Sequence, residues 1–162
     1  DLDKQNLPKI SRNLVSSALI LDGDLIMADA SEDYQGIGKS VEIFNIRNKK
    51  IVAGLHTFLL RDKNKILADG FRGYLHAIST VKAAFDRLAT GLKVYGISKN
   101  NLTKIFLPVP SIEEQTAIAK ILADMDSEIQ ALEKRLVKTR QIKQGMMQEL
   151  LTGKTRLVQP EA

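Results

Sequence analysis

The chain has 162 residues, enough for one domain with a real core plus an appendage, and at 44% apolar and 27% charged residues it has the make-up of a soluble globular protein, not a disordered one. The absence of cysteine excludes disulfide staples and thiolate metal sites. No apolar run reaches the roughly 18–20 residues of a membrane span, and the start of the chain carries no signal-peptide core, so a cytoplasmic location and no membrane partner are expected.

The net charge of +5 is uneven: residues 1–112 hold 16 Lys and Arg against 11 Asp and Glu, whereas residues 113–162 hold 8 of each. A basic first part and a neutral second part point to a polyanion partner for the one and a protein partner for the other. The first residue is Asp1, which leaves open a longer parent chain.

Residues 13–70 read as short strands and turns. The apolar run Leu14 to Leu21 is interrupted by Ser16 and Ser17 and closed by Asp22-Gly23-Asp24. Strands are expected at Leu25–Ala28, Ser40–Ile46, Ile51–Ala53 and Thr57–Leu60. A loop containing Gly36 and Gly38 spans Asp29 to Lys39, and Arg47-Asn48-Lys49-Lys50 forms a polar turn. Tyr74, Ile78, Val81, Phe85 and Leu88 recur at helical spacing, with Gly91 as the expected stop. Gly91 to Asn101 reads as a loop, and Leu102 to Val109 as a last strand before Pro110.

Ser111 opens something different. With Glu114 three residues on it matches a capping box, and no proline follows until well past Thr152. Ile118, Leu122, Met125, Ile129, Leu132 and Leu136 alternate by four and three; the same frame runs through Thr139 and Lys143 to Met146 and Leu150. That is a coiled-coil seam on a helix of about 60 Å. No Gly, Pro or Asn turn lies between residues 113 and 144, so a fold-back hairpin is disfavoured and a partner helix is required. Gly145 weakens the helix locally by about 1 kcal/mol.

Motifs for chemistry are absent. There is no GxxxxGK[ST] loop, no GxGxxG, no GxSxG elbow, no Glu-x-Lys of a nuclease and no aromatic Pro-Pro motif of a DNA methyltransferase. His56 and His76, the two histidines, lack zinc-like spacing, and His56 is expected to be a packed or hydrogen-bonding residue. Asp22, Asp24 and Asp29 sit where turn chemistry favours them. The chain is expected to be non-catalytic, with no metal and no cofactor of its own.

The segment Leu107-Pro108-Val109-Pro110-Ser111-Ile112-Glu113-Glu114-Gln115-Thr116-Ala117-Ile118-Ala119 resembles the hinge at which a target-recognition domain of a Type I restriction specificity subunit passes into its helix. Gly23 to Ala28, Gly96 to Leu102 and Gln148 to Lys154 resemble, in the right order, the early strand, the loop before the last strand and the end of the distal helix in that family. Gly54-Leu55-His56-Thr57 is similar to a segment of one subset. The family has two recognition domains and two helical regions where this chain has one of each, which suggests either half of a longer subunit or a half-subunit that pairs with a copy of itself.

The resemblance implies an α+β chain: a strand-rich DNA-recognition domain at 1–110, a long helix over 111–153 packed antiparallel on a partner helix, and a tail at 154–162. It implies a module that reads one half of a split double-stranded DNA target and docks methyltransferase (modification) subunits. The restriction and translocase subunit joins that assembly, and S-adenosylmethionine and ATP are held by those partner subunits. Two alternatives stay open: a recognition domain belonging to a fused restriction–modification enzyme of another class, and a coiled-coil adaptor for an acidic protein. Charge and loop placement nominate Lys39, Ser40, Arg72, Tyr74, Lys93, Tyr95, Ser98, Lys99 and Asn100 as candidate DNA contacts; in such a site Lys and Arg on phosphates supply most of the affinity and a few bidentate Arg, Asn or Gln contacts supply base discrimination.

Overall fold

A computed structural model describes residues 7–11, 18–33 and 35–158. It divides into two compact units, Asp1–Lys120 and Ile121–Ala162. The division falls two turns inside the long helix, because the root of that helix is built into the first unit. The element mix is α+β, as expected. No helix among the described residues is long and apolar enough to cross a membrane.

The centre of the first unit is a three-stranded antiparallel sheet in the order β3-β1-β4. Strand β1 (Leu25–Ala28) lies between β3 (Ser40–Glu42) and β4 (Thr57–Leu60), with Met27 opposite Ser40 and Phe58. Alternation decides which face of β1 is buried: Leu25 and Met27 point into the core, and Ile26 and Ala28 are half-buried on the other side. Beside this sheet, β2 (Ala30–Ser31) pairs with β5 (Tyr95–Gly96).

Helix α1 (Ser79–Leu88) lays Val81 and Phe85 on Leu25, Met27, Ile37 and Ile97 to close the main core. The helical period over 74–88 is real but does not belong to one helix. A 3₁₀ helix occupies Arg72–Ala77, and Ile78 is extended (ψ 125°), so the chain breaks between Tyr74 and Val81. Here Gly73 N–H, instead of joining a helical ladder, donates to the Glu42 carboxylate at 3.1 Å. Helix α1 ends at Leu88 because Ala89 is extended, not because of Gly91. Gly91 is needed for another reason: at φ 147°, a β-carbon there would lie 1.9 Å from the Val94 carbonyl oxygen.

Three other expectations change. The stretch read as a strand over Ser40–Ile46 is paired only to Glu42, and Val52 makes a single bridge to Leu19. The supposed loop Gly91–Asn101 contains β5 and the start of α2 (Lys99–Leu102), capped by the Ser98 hydroxyl, which accepts from Asn101 N–H at 3.2 Å. The expected last strand Leu102–Val109 does not form: Leu102 ends α2, and residues 105–110 pair with no strand, Pro108 and Pro110 having no N–H to offer a ladder. The first half of the expected run Leu14–Leu21 lies outside the described residues.

Helix α3 (Ile112–Leu151) is a single 40-residue helix. The Ser111 hydroxyl accepts from Glu114 N–H at 3.3 Å. The Glu113 carboxyl is held below the usual carboxylate range by its own backbone N–H and by the Ser111 hydroxyl. The root is fixed by Gln115, which is 1% exposed. Its side-chain oxygen accepts from Ala68 N–H at 2.8 Å, and its amide nitrogen donates to the carbonyls of Pro110 at 2.9 Å and Ile66 at 3.2 Å. One turn on, Ala119 packs with Ala68, Phe71 and Leu75, and Ile118 packs on the rim of that cluster. Ile118, the first position of the expected seam, is therefore packed against the domain.

In the second unit Met125, Ile129, Leu132, Leu136 and Met146 are between 49% and 56% exposed, and Leu150 is half-buried. The helix is also charge-polarised. Glu113 to Glu133 contains six carboxylates and one lysine, whereas Lys134 to Lys143 contains five cations and no carboxylate.

Candidate nucleic-acid interface

The central sheet has two ends with opposite chemistry. At the end where β1 begins, buried carboxylates and arginines tie the domain together. The Asp24 carboxylate, 1% exposed, takes two contacts from Arg61, at 2.7 Å (Nε) and 2.6 Å (Nη2), and one from Leu21 N–H at 2.7 Å. Burial raises the pKa of Asp24, but the Arg61 and Leu21 hydrogen bonds and the nearby Arg61 and Arg72 charges outweigh it, so the group stays below the usual aspartate range. Arg72 spans the same region. Its Nη1 reaches Glu42 at 2.7 Å, Asp69 at 2.9 Å and the Gly23 carbonyl at 3.2 Å, and its Nη2 reaches the Leu67 carbonyl at 2.8 Å. Glu42 also accepts from Gly70 N–H at 3.1 Å. These bonds lock the 67–73 segment on which Gln115 and Ala119 sit.

At the end where β1 finishes, loops converge instead. Ala28 N–H donates to the Lys39 carbonyl at 2.9 Å, and Asp29 N–H to the His56 carbonyl at 3.1 Å. Ile97 N–H donates to the Asp29 carbonyl at 2.9 Å. Three segments distant in sequence, around Lys39, His56 and Ile97, are thus tied to two consecutive residues at one strand end. Lys39, Lys93, Ser98, Lys99 and Asn100 are exposed on or beside these segments, and Tyr95 is half-buried next to them in β5. His56 is not packed as expected: its side chain is 79% exposed, with Nδ1 3.7 Å from Asp29 Oδ1.

Two of the nine nominated contacts are internal. Arg72 is buried in the ion-pair network with Glu42 and Asp69, and Ser40 is buried with its hydroxyl 3.1 Å from His76 Nδ1. Both serve the fold: a guanidinium with four oxygen acceptors and a hydroxyl closed by a histidine are not presented to solvent. Tyr74 lies in the 3₁₀ helix of that same region. The sequence places Gln115 in the hinge without disclosing its role, and nothing in its pattern singles out Glu42 or Arg61. The available signal for Gln115 was its spacing: it is the polar residue one helical turn before Ala119, on the same helix face.

The first unit also holds a mostly apolar cavity of about 390 Å³, lined by residues such as Leu60, Leu75, Leu102, Ile105 and Val109 with Arg61, Asp62, Arg72 and His76 among them. Among the described residues no group of three or more His, Asp or Glu is placed to hold a metal ion.

An antiparallel sheet with the root of a long helix secured near one end and basic loops gathered at the other suits a recognition domain, and the family comparison agrees. Residues 16–143 match the model of the Type I restriction modification DNA specificity domain, and the chain belongs to that family. It is 27% identical over 144 residues to a Methanocaldococcus jannaschii protein described as the type I restriction enzyme MjaX specificity subunit, covering 88% of this chain and 33% of that protein. It is 36% identical over 94 residues to the MjaVIII specificity subunit of the same organism, covering 57% of this chain and 21% of that one. The chain therefore spans a third or less of the length of these relatives.

Proposed function

We propose that this chain is a non-catalytic DNA-reading module of a type I restriction–modification specificity subunit, recognising one half of a bipartite duplex target. The observation that carries the reading is the convergence of the Lys39, His56 and Gly96–Asn100 segments on Ala28 and Asp29. In this reading Lys39, Lys93 and Lys99 take phosphates, while Ser98, Asn100 and Tyr95 face base edges. The chemistry, with its S-adenosylmethionine and ATP, resides on methyltransferase and translocase subunits docked to the assembly.

The seam of α3 takes a partner helix running antiparallel, either from a second copy or from the other half of a longer subunit. Antiparallel pairing of two copies sets the acidic stretch 113–133 of each against the basic stretch 134–143 of the other. Parallel pairing would stack like on like. The helix dipole also favours acidic N-termini and basic C-termini, but its effect fades within the terminal turns, whereas most of these charges lie mid-helix.

Selection of bound sequences from a randomised duplex pool, with light scattering on the same preparation, tests the reading. Enrichment of a short motif is expected, and a mass of twice the 18.0 kDa chain would identify the second copy as the helix partner. Binding that is equal on all duplexes, or absent, refutes the recognition role and favours an adaptor for acidic protein.

A further inference from the structure

The turn that leads into β4, Gly54-Leu55-His56-Thr57, carries a leucine that is 93% exposed. The turn is nevertheless fixed. The Thr57 hydroxyl donates to the Gly54 carbonyl at 2.6 Å, and the His56 carbonyl accepts Asp29 N–H at 3.1 Å. His56 adopts a left-handed backbone (φ 57°), a conformation that costs a non-glycine residue on the order of 1 kcal/mol. Here, as at Asn45, Arg47 and Lys65, a non-glycine residue takes that conformation. The glycine stands two residues earlier instead, and a β-carbon on Gly54 would meet nothing within 4 Å. No steric demand within the domain calls for a glycine there, whereas an external surface approaching Leu55 closely would.

The surroundings identify that surface. His56 is hydrogen-bonded to the same Asp29 that anchors Ile97, and Lys39, Ser98, Lys99 and Asn100 lie on the segments tied to this sheet end. An apolar tip fixed to the same sheet end as cationic loops, with Leu92 and Val94 exposed on one of those loops as well, suits duplex DNA, where the basic side chains hold phosphates and a leucine can neither donate nor accept at a base edge. The apolar group a duplex offers in the major groove is the thymine 5-methyl.

We infer that Leu55 is a specificity-determining residue whose side chain packs on a thymine methyl, so that the bound half-site contains an A·T pair at a fixed position. The inference rests on the DNA-reading role proposed above.

The test uses the full chain. The motif is first selected with wild-type protein from a randomised duplex pool, then affinities for it are measured for wild type and Leu55→Ala, with thymine and with uracil at each A·T position. One position is expected at which uracil weakens wild-type binding about three- to tenfold, the effect of about one buried methyl or two. At that position Leu55→Ala shows the same loss on thymine DNA and no further loss on uracil DNA. Equal binding of the motif by wild type and Leu55→Ala overturns the inference while leaving the recognition role intact. So does a uniform loss on all duplexes with no response to uracil. Failure of wild type to enrich any motif overturns the recognition role itself, and the inference with it. Because Leu55 is so exposed, Leu55→Ala leaves the fold undisturbed, and an unchanged melting temperature verifies this.

Discussion

Replacing Gln115 with leucine should uncouple the root of the helix from its domain at a cost that the structure allows to be worked out. Leucine fills nearly the same volume, so the change removes hydrogen bonds without opening a large cavity. Ala68 N–H loses its acceptor in a buried position, and the half-buried Pro110 carbonyl loses its donor. The Ile66 carbonyl belongs to an exposed residue and can turn to water. An orphaned buried group costs about 1–3 kcal/mol, so two give a loss of about 2–4 kcal/mol once partial hydration at Pro110 is counted. That is a large share of the roughly 5–15 kcal/mol that holds a domain together. It corresponds to a fall in melting temperature of about 8–20 °C. With three tyrosines and no tryptophan, urea titration followed by tyrosine emission reports on the first unit, while far-UV dichroism at 222 nm is dominated by α3. Gln115→Glu, which keeps the acceptor for Ala68 but sets a carboxylate against two carbonyls, should be no milder. A loss below about 1 kcal/mol for Gln115→Leu would refute the assignment of Gln115 as the anchor.

Three further outcomes are expected. Asp24 has a depressed folded-state pKa, so the stability it contributes is present above the ordinary aspartate range near pH 4 and is lost as pH falls below it. Asp24→Asn should cost about 2–4 kcal/mol at pH 7 and flatten the acid limb of a stability–pH profile; an unchanged limb would place the acid sensitivity elsewhere. Gly38→Ala puts a β-carbon 2.7 Å from the buried Phe85 ring on a backbone at φ 74°, and should destabilise by about 2–4 kcal/mol in urea titration. Lys99→Ala should weaken DNA binding on all sequences and reduce the slope of log K against log salt by about 0.9, whereas an unchanged slope would remove Lys99 from the phosphate contacts.

The features legible in the sequence were those that local pattern determines. Strands Leu25–Ala28 and Thr57–Leu60 fall where alternation and flanking turns place them, and α3 begins after the Ser111 cap and runs to Leu151. The features that were not legible depend on partners far along the chain. The two-residue strands β2 and β5 are extended only because Ser31 meets Tyr95 across some sixty residues. The 3₁₀ turn ahead of Ile78 is pinned by Gly73 N–H on the Glu42 carboxylate, and the internal role of Arg72 follows from four acceptors at Gly23, Glu42, Leu67 and Asp69. Polar residues recruited into a core leave no trace in hydrophobic periodicity, so Arg72 reads as a surface cation until its neighbours are known. Of the candidate site, the Gly-rich loop before α2 was visible, whereas the gathering of Lys39, His56 and Ile97 on one strand end was not.

Strand β1 is only four residues long, yet it separates the helix root at its first residue from the loop cluster at its last. The acceptors and donors that secure the root (Asp24, Glu42, Arg61, Arg72, Gln115) come from positions outside the loops 29–39, 54–57 and 91–101. Those loops meet the rest of the domain through backbone bonds at Ala28 and Asp29 and through the side chains of Ile37 and Ile97, which are part of the main core. In the proposed reading a change of address would need no redesign of the frame, provided that the apolar side chains of Ile37 and Ile97, the glycine at 38 and the register of Ala28 with Lys39 are kept.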